Sequence, residues 1–118
     1  MATILIVDDS TDLHQAMRFI LELDGHVIKT ATSKELLMEE LKQYVPDIIM
    51  LDVQLNGENG REICREIKAN NNTSNVPVIL MSANEIVLND YQECGATGVI
   101  DKPFSLPELT EKINSVLK

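Results

Sequence analysis

A doubly wound α/β domain on a five-stranded parallel sheet is the fold class this sequence predicts, and three observations predict it. Short β-branched runs alternate with segments of helical period five times along the 118 residues. Such alternation needs crossover connections, which are right-handed and place helices on both faces of a parallel sheet. The strand runs are apolar throughout, as expected of strands covered on both sides. The 44% apolar and 25% charged composition is that of one globular domain able to hold a core without disulfide staples.

The elements follow in order. Thr3-Ile4-Leu5-Ile6-Val7 is the first strand. Ser10 or Thr11 then offers an oxygen to the free N–H groups of a helix carrying Leu13, Ala16, Met17, Ile20 and Leu21, and Gly25 closes it. His26 to Thr30 is the second strand. Thr32-Ser33-Lys34-Glu35 has the form of a capping box opening a helix with Leu36, Leu37 and Leu41, which stops before Pro46. Asp47 to Leu51 is the third strand, Leu55 to Gly60 a loop, and Ile63 and Ile67 mark the third helix. A polar connection from Asn70 to Asn75 leads into the fourth strand, Pro77 to Met81. A weakly patterned fourth helix around Ile86 to Cys94 is capped by Gly95, and Thr97 to Asp101 is the fifth strand. Ser105-Leu106-Pro107-Glu108 is a second capping box, before a fifth helix with Leu109, Ile113, Val116 and Leu117. Residues 1–118 are expected to form one domain with a natural start at Met1 and no output module.

Ten Lys/Arg against nineteen Asp/Glu give a net charge of −9. That balance disfavours binding to nucleic acid, which needs clustered cations, and to anionic membrane surfaces. No apolar run approaches the ~20 residues that span a bilayer, and the N-terminus has no signal-peptide pattern. Cys64 and Cys94 are too few for a disulfide framework and lack metal-ligand spacing, so two reduced cysteines in the cytoplasm are expected. Cys64 has the helical spacing of a small buried residue, whereas His14 is expected at the surface.

In open α/β sheets, ligands sit beyond the carboxyl ends of the strands. Asp8 and Asp9 end the first strand, Asp52 the third and Ser82 the fourth, and Lys102 follows the fifth. Each alone reads as a cap or a surface residue; their coincidence at equivalent strand ends makes a candidate site. Two carboxylates ~5 Å apart repel by about 3 kcal/mol at an effective dielectric near ~20. Three together call for a cation, and hard oxygen donors suit magnesium. One weakly bound divalent ion is therefore expected, with manganese as a substitute. The same crowding predicts that Asp8→Asn or Asp52→Asn stabilises the metal-free protein.

With these residues in view, the whole chain resembles the receiver domains of bacterial two-component response regulators, and in particular the chemotaxis-regulator-like ones. The resemblance rests on Val7-Asp8-Asp9, on Asp52 after an apolar strand, on Ser82-Ala83, on Lys102-Pro103-Phe104, and on Gly60 and Gly95-Ala96. It implies a flavodoxin-like strand order 2-1-3-4-5 with five helices. It also implies that Asp52 is the phosphoacceptor, becoming 4-aspartylphosphate. Asp9 would be a direct magnesium ligand, Asp8 a ligand mainly through water, and the Gln54 backbone carbonyl a further ligand. Lys102 would pair with a phosphoryl oxygen, the bond before Pro103 would be cis, and Ser82 would move toward the phosphoryl group. Gln54 and Asn84 would tune the lifetime of the phosphorylated state. The implied partners are a histidine kinase or histidine phosphotransfer protein and an effector protein. No nucleic acid or membrane is implied; the chain would be a monomer, with dimerisation on phosphorylation as the alternative. Its catalysis would be confined to its own phosphorylation and slow dephosphorylation.

Three features depart from the pattern of that family. Val99 stands where the resemblance implies an aromatic switch residue, and a β-branched side chain lacks the reach. Asn56 replaces a common proline and is expected to loosen its loop, with Gly57 and Gly60 keeping a tight turn. Ser82 to Lys102 spans 20 steps, fewer than implied, which predicts a short fourth helix. Other readings are a phosphatase working through phosphoaspartate, a flavin carrier, a pseudo-receiver, and a relay intermediate or phosphate sink. Gln54 in place of a second Asp argues against the phosphatase. Asp8-Asp9 would repel a flavin phosphate, and the intact acid–hydroxyl–amine set argues against a pseudo-receiver.

Overall fold

The β-branched runs form strands because branched side chains pack well on a pleated, covered surface. In the computed structural model, which describes residues 2–82, 91–102 and 104–117, they are β1 (Thr3–Val7), β2 (Val27–Ala31), β3 (Ile48–Asp52), β6 (Val78–Ser82) and β7 (Gly98–Asp101). They pair in parallel in the order β2-β1-β3-β6-β7. That is the predicted 2-1-3-4-5 order, with β6 and β7 as the fourth and fifth strands of the sheet. Strands β3 and β6 are buried at every residue.

Side chains alternate between the two faces of each strand and so sort the core into two layers. Ile4, Ile6, Ile48, Met50, Ile79 and Met81 point to one layer with Met17 and Leu21 of α1 (Thr11–Leu23) and Leu109 and Ile113 of α4 (Leu106–Leu117). Leu5, Val7, Ile49, Leu51, Val78 and Leu80 point to the other, with Leu37 of α2 (Lys34–Gln43) and Ile63 and Ile67 of α3 (Gly60–Ala69). Helices thus cover both faces, as the crossover rule requires. No helix among the described residues is long and apolar enough to cross a membrane.

The helix ends show why the punctuation in the sequence works. Ser10 Oγ accepts from the Leu13 N–H and caps α1. At the other end Gly25 N–H reaches the Glu22 carbonyl and His26 N–H the Leu21 carbonyl, the two bonds of a Schellman stop. The predicted box before α4 is reciprocal: Glu108 N–H donates to Ser105 Oγ at 3.3 Å and Ser105 N–H to the Glu108 carboxylate at 3.2 Å.

Four expectations change. The cap of α2 is Ser33, not Thr32, with Oγ accepting from the Leu36 N–H at 3.2 Å. Residues 54–59 are not a bare loop but a hairpin, β4 (Gln54–Leu55) paired antiparallel with β5 (Glu58–Asn59). His14 is buried at 6% exposure, because it shares the inner face of α1 with Met17 and Leu21. The described part of the expected fourth helix, Tyr91–Cys94, is a 3-10 turn, leaving four α-helices among the described residues. The rest of that helix, with Ala83 and Asn84, lies outside them, as does Pro103 with its expected cis bond.

Candidate functional site

The parallel register brings the strand-end residues together. Val7 pairs with Leu51, so Asp8 and Asp52 stand side by side at the carboxyl edge of β1 and β3. Asp52 pairs with Met81 and Ser82 with Asp101, which sets Ser82 at the same edge one strand over. The Lys102 N–H donates to the Ser82 carbonyl at 2.8 Å, extending the ladder and holding Lys102 at the end of β7.

Carboxylate oxygens of Asp8, Asp9 and Asp52 lie within 4.8 Å of one another, the only such group of acid, His or Cys ligands among the described residues. Asp8 and Asp52 are buried and Asp9 is exposed. The two buried carboxylates are held alike. Asp8 Oδ1 accepts from the Ser10 N–H at 2.8 Å, and Asp52 Oδ1 from the Gln54 N–H at 3.1 Å. Their Oδ2 atoms share Lys102, whose Nζ lies 2.5 Å from Asp8 and 3.4 Å from Asp52.

This sharing leaves the cluster short of positive charge, three carboxylates against one ammonium. Burial raises the Asp52 pKa above its ordinary value. The Gln54 N–H counters this, the Asp8 charge adds to it, and Lys102 only partly relieves it. Burial acts to lower the Lys102 ammonium, but its bond to Asp8 and the charges of Asp8 and Asp52 outweigh it, so its pKa rises. His14 lies beside Asp8; burial lowers its pKa against the pull of Asp8, and its Nε2 has no hydrogen-bond partner among the described residues.

Gly60 is required by close approach. A Cβ there would run into the Asp52 carbonyl oxygen and stand 2.8 Å from Val53 Cα. The Gly60 N–H donates to the Val53 carbonyl at 2.6 Å, folding α3 directly behind the acid cluster.

Residues 4–114 match the response regulator receiver domain model. The chain belongs to that family. This receiver is 34% identical over 118 residues to the phosphate regulon transcriptional regulatory protein PhoB of Pseudomonas aeruginosa, covering 98% of this chain and 52% of that protein. It is 31% identical over 120 residues to the sensory transduction protein RegX3 of Mycobacterium bovis, covering 100% of this chain and 52% of the relative. The chain spans about half the length of these curated relatives. In fold it matches the chemotaxis response regulator CheY4 of Vibrio cholerae with a TM-score of 0.92 at 24% identity, over 99% of both chains.

The receiver thus brings Lys102 onto Asp8 and Asp52, with an Asp9 carboxylate oxygen within 4.8 Å of theirs and Ser82 at the adjoining strand end. Gln54 is exposed in β4, its N–H on Asp52. Val99 is half-buried against the core layer of α2 and α3. Two features near the site differ from the sequence expectation, the buried His14 and the hairpin of residues 54–59. The burial of His14 was signalled by its i, i+3, i+7 spacing with Met17 and Leu21. The hairpin was signalled by Asn56-Gly57, the dipeptide favoured in two-residue hairpin turns.

Proposed function

We propose that this receiver accepts a phosphoryl group on Asp52, from the phosphohistidine of a histidine kinase or phosphotransfer protein or from a small acyl phosphate. The observation that supports it most is the shared lysine: Lys102 bridges two carboxylates at the sheet edge and leaves a third beside them, so the cluster retains negative charge. Three hard carboxylate donors within 4.8 Å fit a magnesium ion. Asp8, Asp9, Asp52 and the Gln54 carbonyl would hold it. When bound, the ion offsets charge on the oxygens of the transferring group, the main catalytic need in phosphoryl transfer.

The protein's own groups do the rest. An Asp52 oxygen attacks phosphorus while the bond from phosphorus to the imidazole nitrogen breaks, and the electron pair leaves with the ring. The Lys102 ammonium, released from its share of Asp52, pairs with a phosphoryl oxygen. The Ser82 hydroxyl moves toward the same group, and with Val99 in place of an aromatic residue the switch runs without a ring swinging inward. Later attack by water on phosphorus returns the Asp52 carboxylate and inorganic phosphate, at a rate set by Gln54 and Asn84. Catalysis is confined to this self-modification. Output is a change of protein–protein contact in the cytoplasm. The net charge of −9 gives this domain no basis for holding a phosphate backbone, and the transcriptional roles printed in its relatives' names belong to those whole proteins.

The test is intact mass after incubation with acetyl phosphate, with and without magnesium. A magnesium-dependent gain of one phosphoryl group, labile to hydroxylamine and absent from Asp52→Asn, is the expected outcome. No adduct and no beryllofluoride complex in the folded wild type would overturn the proposal in favour of a pseudo-receiver.

A further inference from the structure

The hairpin behind the phosphoacceptor is anchored at both ends. At its base the Gln54 N–H donates to Asp52 Oδ1 at 3.1 Å. Gln54 pairs with Asn59 and Leu55 with Glu58, and Leu55 is fully buried. At its tip Asn56 and Gly57 both have positive φ, 52° and 82°, as a type I′ turn requires. Asn is among the few residues that accept this conformation, because its short polar side chain bonds locally. Here the carboxamide does more: Asn56 Nδ2 donates to the Thr32 carbonyl at 2.8 Å, reaching the connection between β2 and α2, 24 residues away. It is the left-handed turn that brings the side chain to that carbonyl, and proline, locked near −65°, is barred from it.

We propose that Asn56 is a positioning residue for Asp52, acting through Gln54. Its bond to Thr32 fixes the tip of a two-residue strand whose first N–H orients the Asp52 carboxylate. With Oδ1 held by Gln54, Oδ2 stays turned toward Lys102. Without the clip the tip of the hairpin loses its tie to the connection between β2 and α2, and Gln54 leaves Asp52 more often. Preorganisation of the reacting group is a large part of what a phosphoacceptor site supplies, so this looseness slows transfer. The inference rests on the proposed phosphoacceptor role for its kinetic part alone.

Asn56→Asp keeps the size and turn preference and exchanges the donor for a carboxylate. Its added charge repels anionic acetyl phosphate, so a slower reaction counts for the clip only where Asn56→Gly, which adds no charge, shows it too. Asn56→Gly is the second, keeping the turn and removing the side chain. Two readouts are followed on the full chain: amide hydrogen exchange at Gln54, and the rate of Asp52 phosphorylation by acetyl phosphate with magnesium. Both variants should raise Gln54 exchange and lower the rate, each by about tenfold, with denaturation midpoints showing that the fold persists. Gln54 exchange or phosphorylation within twofold of wild type in Asn56→Asp would overturn the inference. A wild type that takes no phosphoryl group would defeat the proposed function, while the exchange measurement would still decide whether the clip holds Gln54.

Discussion

Asp8 and Asp52 look interchangeable in the sequence, two acids at neighbouring strand ends, yet their surroundings differ. Asp8 has the short bond to Lys102 at 2.5 Å, whereas Asp52 has the long one at 3.4 Å and a raised pKa. The expectation that neutralising either acid stabilises the protein therefore divides. Asp52→Asn should raise metal-free stability at neutral pH by about 1–2 kcal/mol, less than the bare repulsion because Lys102 offsets part of it. Asp8→Asn should not, because it removes the principal partner of a half-buried ammonium. The pH dependence has a definite sign. A carboxyl whose pKa is higher in the folded state costs stability when ionised, fully above its folded pKa and not at all below the ordinary 3.8. The gain from Asp52→Asn should thus be complete above the raised folded pKa of Asp52 and vanish as pH falls below about 3.8, in paired urea titrations. Lys102 behaves oppositely: its stabilisation is present below the ordinary 10.5 and is lost as pH rises through its higher folded pKa.

Among the elements, local chemistry settled most boundaries, and tertiary contact settled the exceptions. The Ser105–Glu108 box and the Ser10 cap form as their residue types demand. At α2 both Thr32 and Ser33 are plausible caps by residue type. Ser33 takes the role, and the Thr32 carbonyl is instead held by Asn56 from the hairpin. The partner of that carbonyl lies 24 residues away, which no local pattern reveals. Gly60 shows the same dependence. By sequence it is a loop glycine, and in space it is the only residue type that lets α3 begin against the Asp52 carbonyl. Gly60→Ala should destabilise the fold by about 1–3 kcal/mol through overpacking and should also slow Asp52 phosphorylation. A chemical-denaturation midpoint together with the acetyl phosphate rate checks both effects. Loss of stability with an unchanged rate would show that the strain relaxes into α3 and not into the site.

For the molecule as a whole, the proposed magnesium site would couple folding to metal. A cation that binds the folded chain and not the unfolded one stabilises it by RT ln(1 + [L]/Kd), about 1.4 kcal/mol at ten times Kd. Thermal or urea unfolding followed against magnesium concentration should show this rise in wild type and a much smaller one in Asp9→Asn. Equal magnesium dependence in the two would place the ion away from the cluster. What the sequence determined by itself was the alternation of strands and helices, their count in the sheet, and the placing of Asp8, Asp9, Asp52, Ser82 and Lys102 at strand ends. These follow from short-range periodicity and capping, together with the rule that crossovers are right-handed. What only the tertiary structure decided was the division of Lys102 between Asp8 and Asp52 and the clip from Asn56 to Thr32. Each of these depends on the lateral order and register of strands far apart in the chain, and single-ångström differences between long-range partners leave no trace in local pattern.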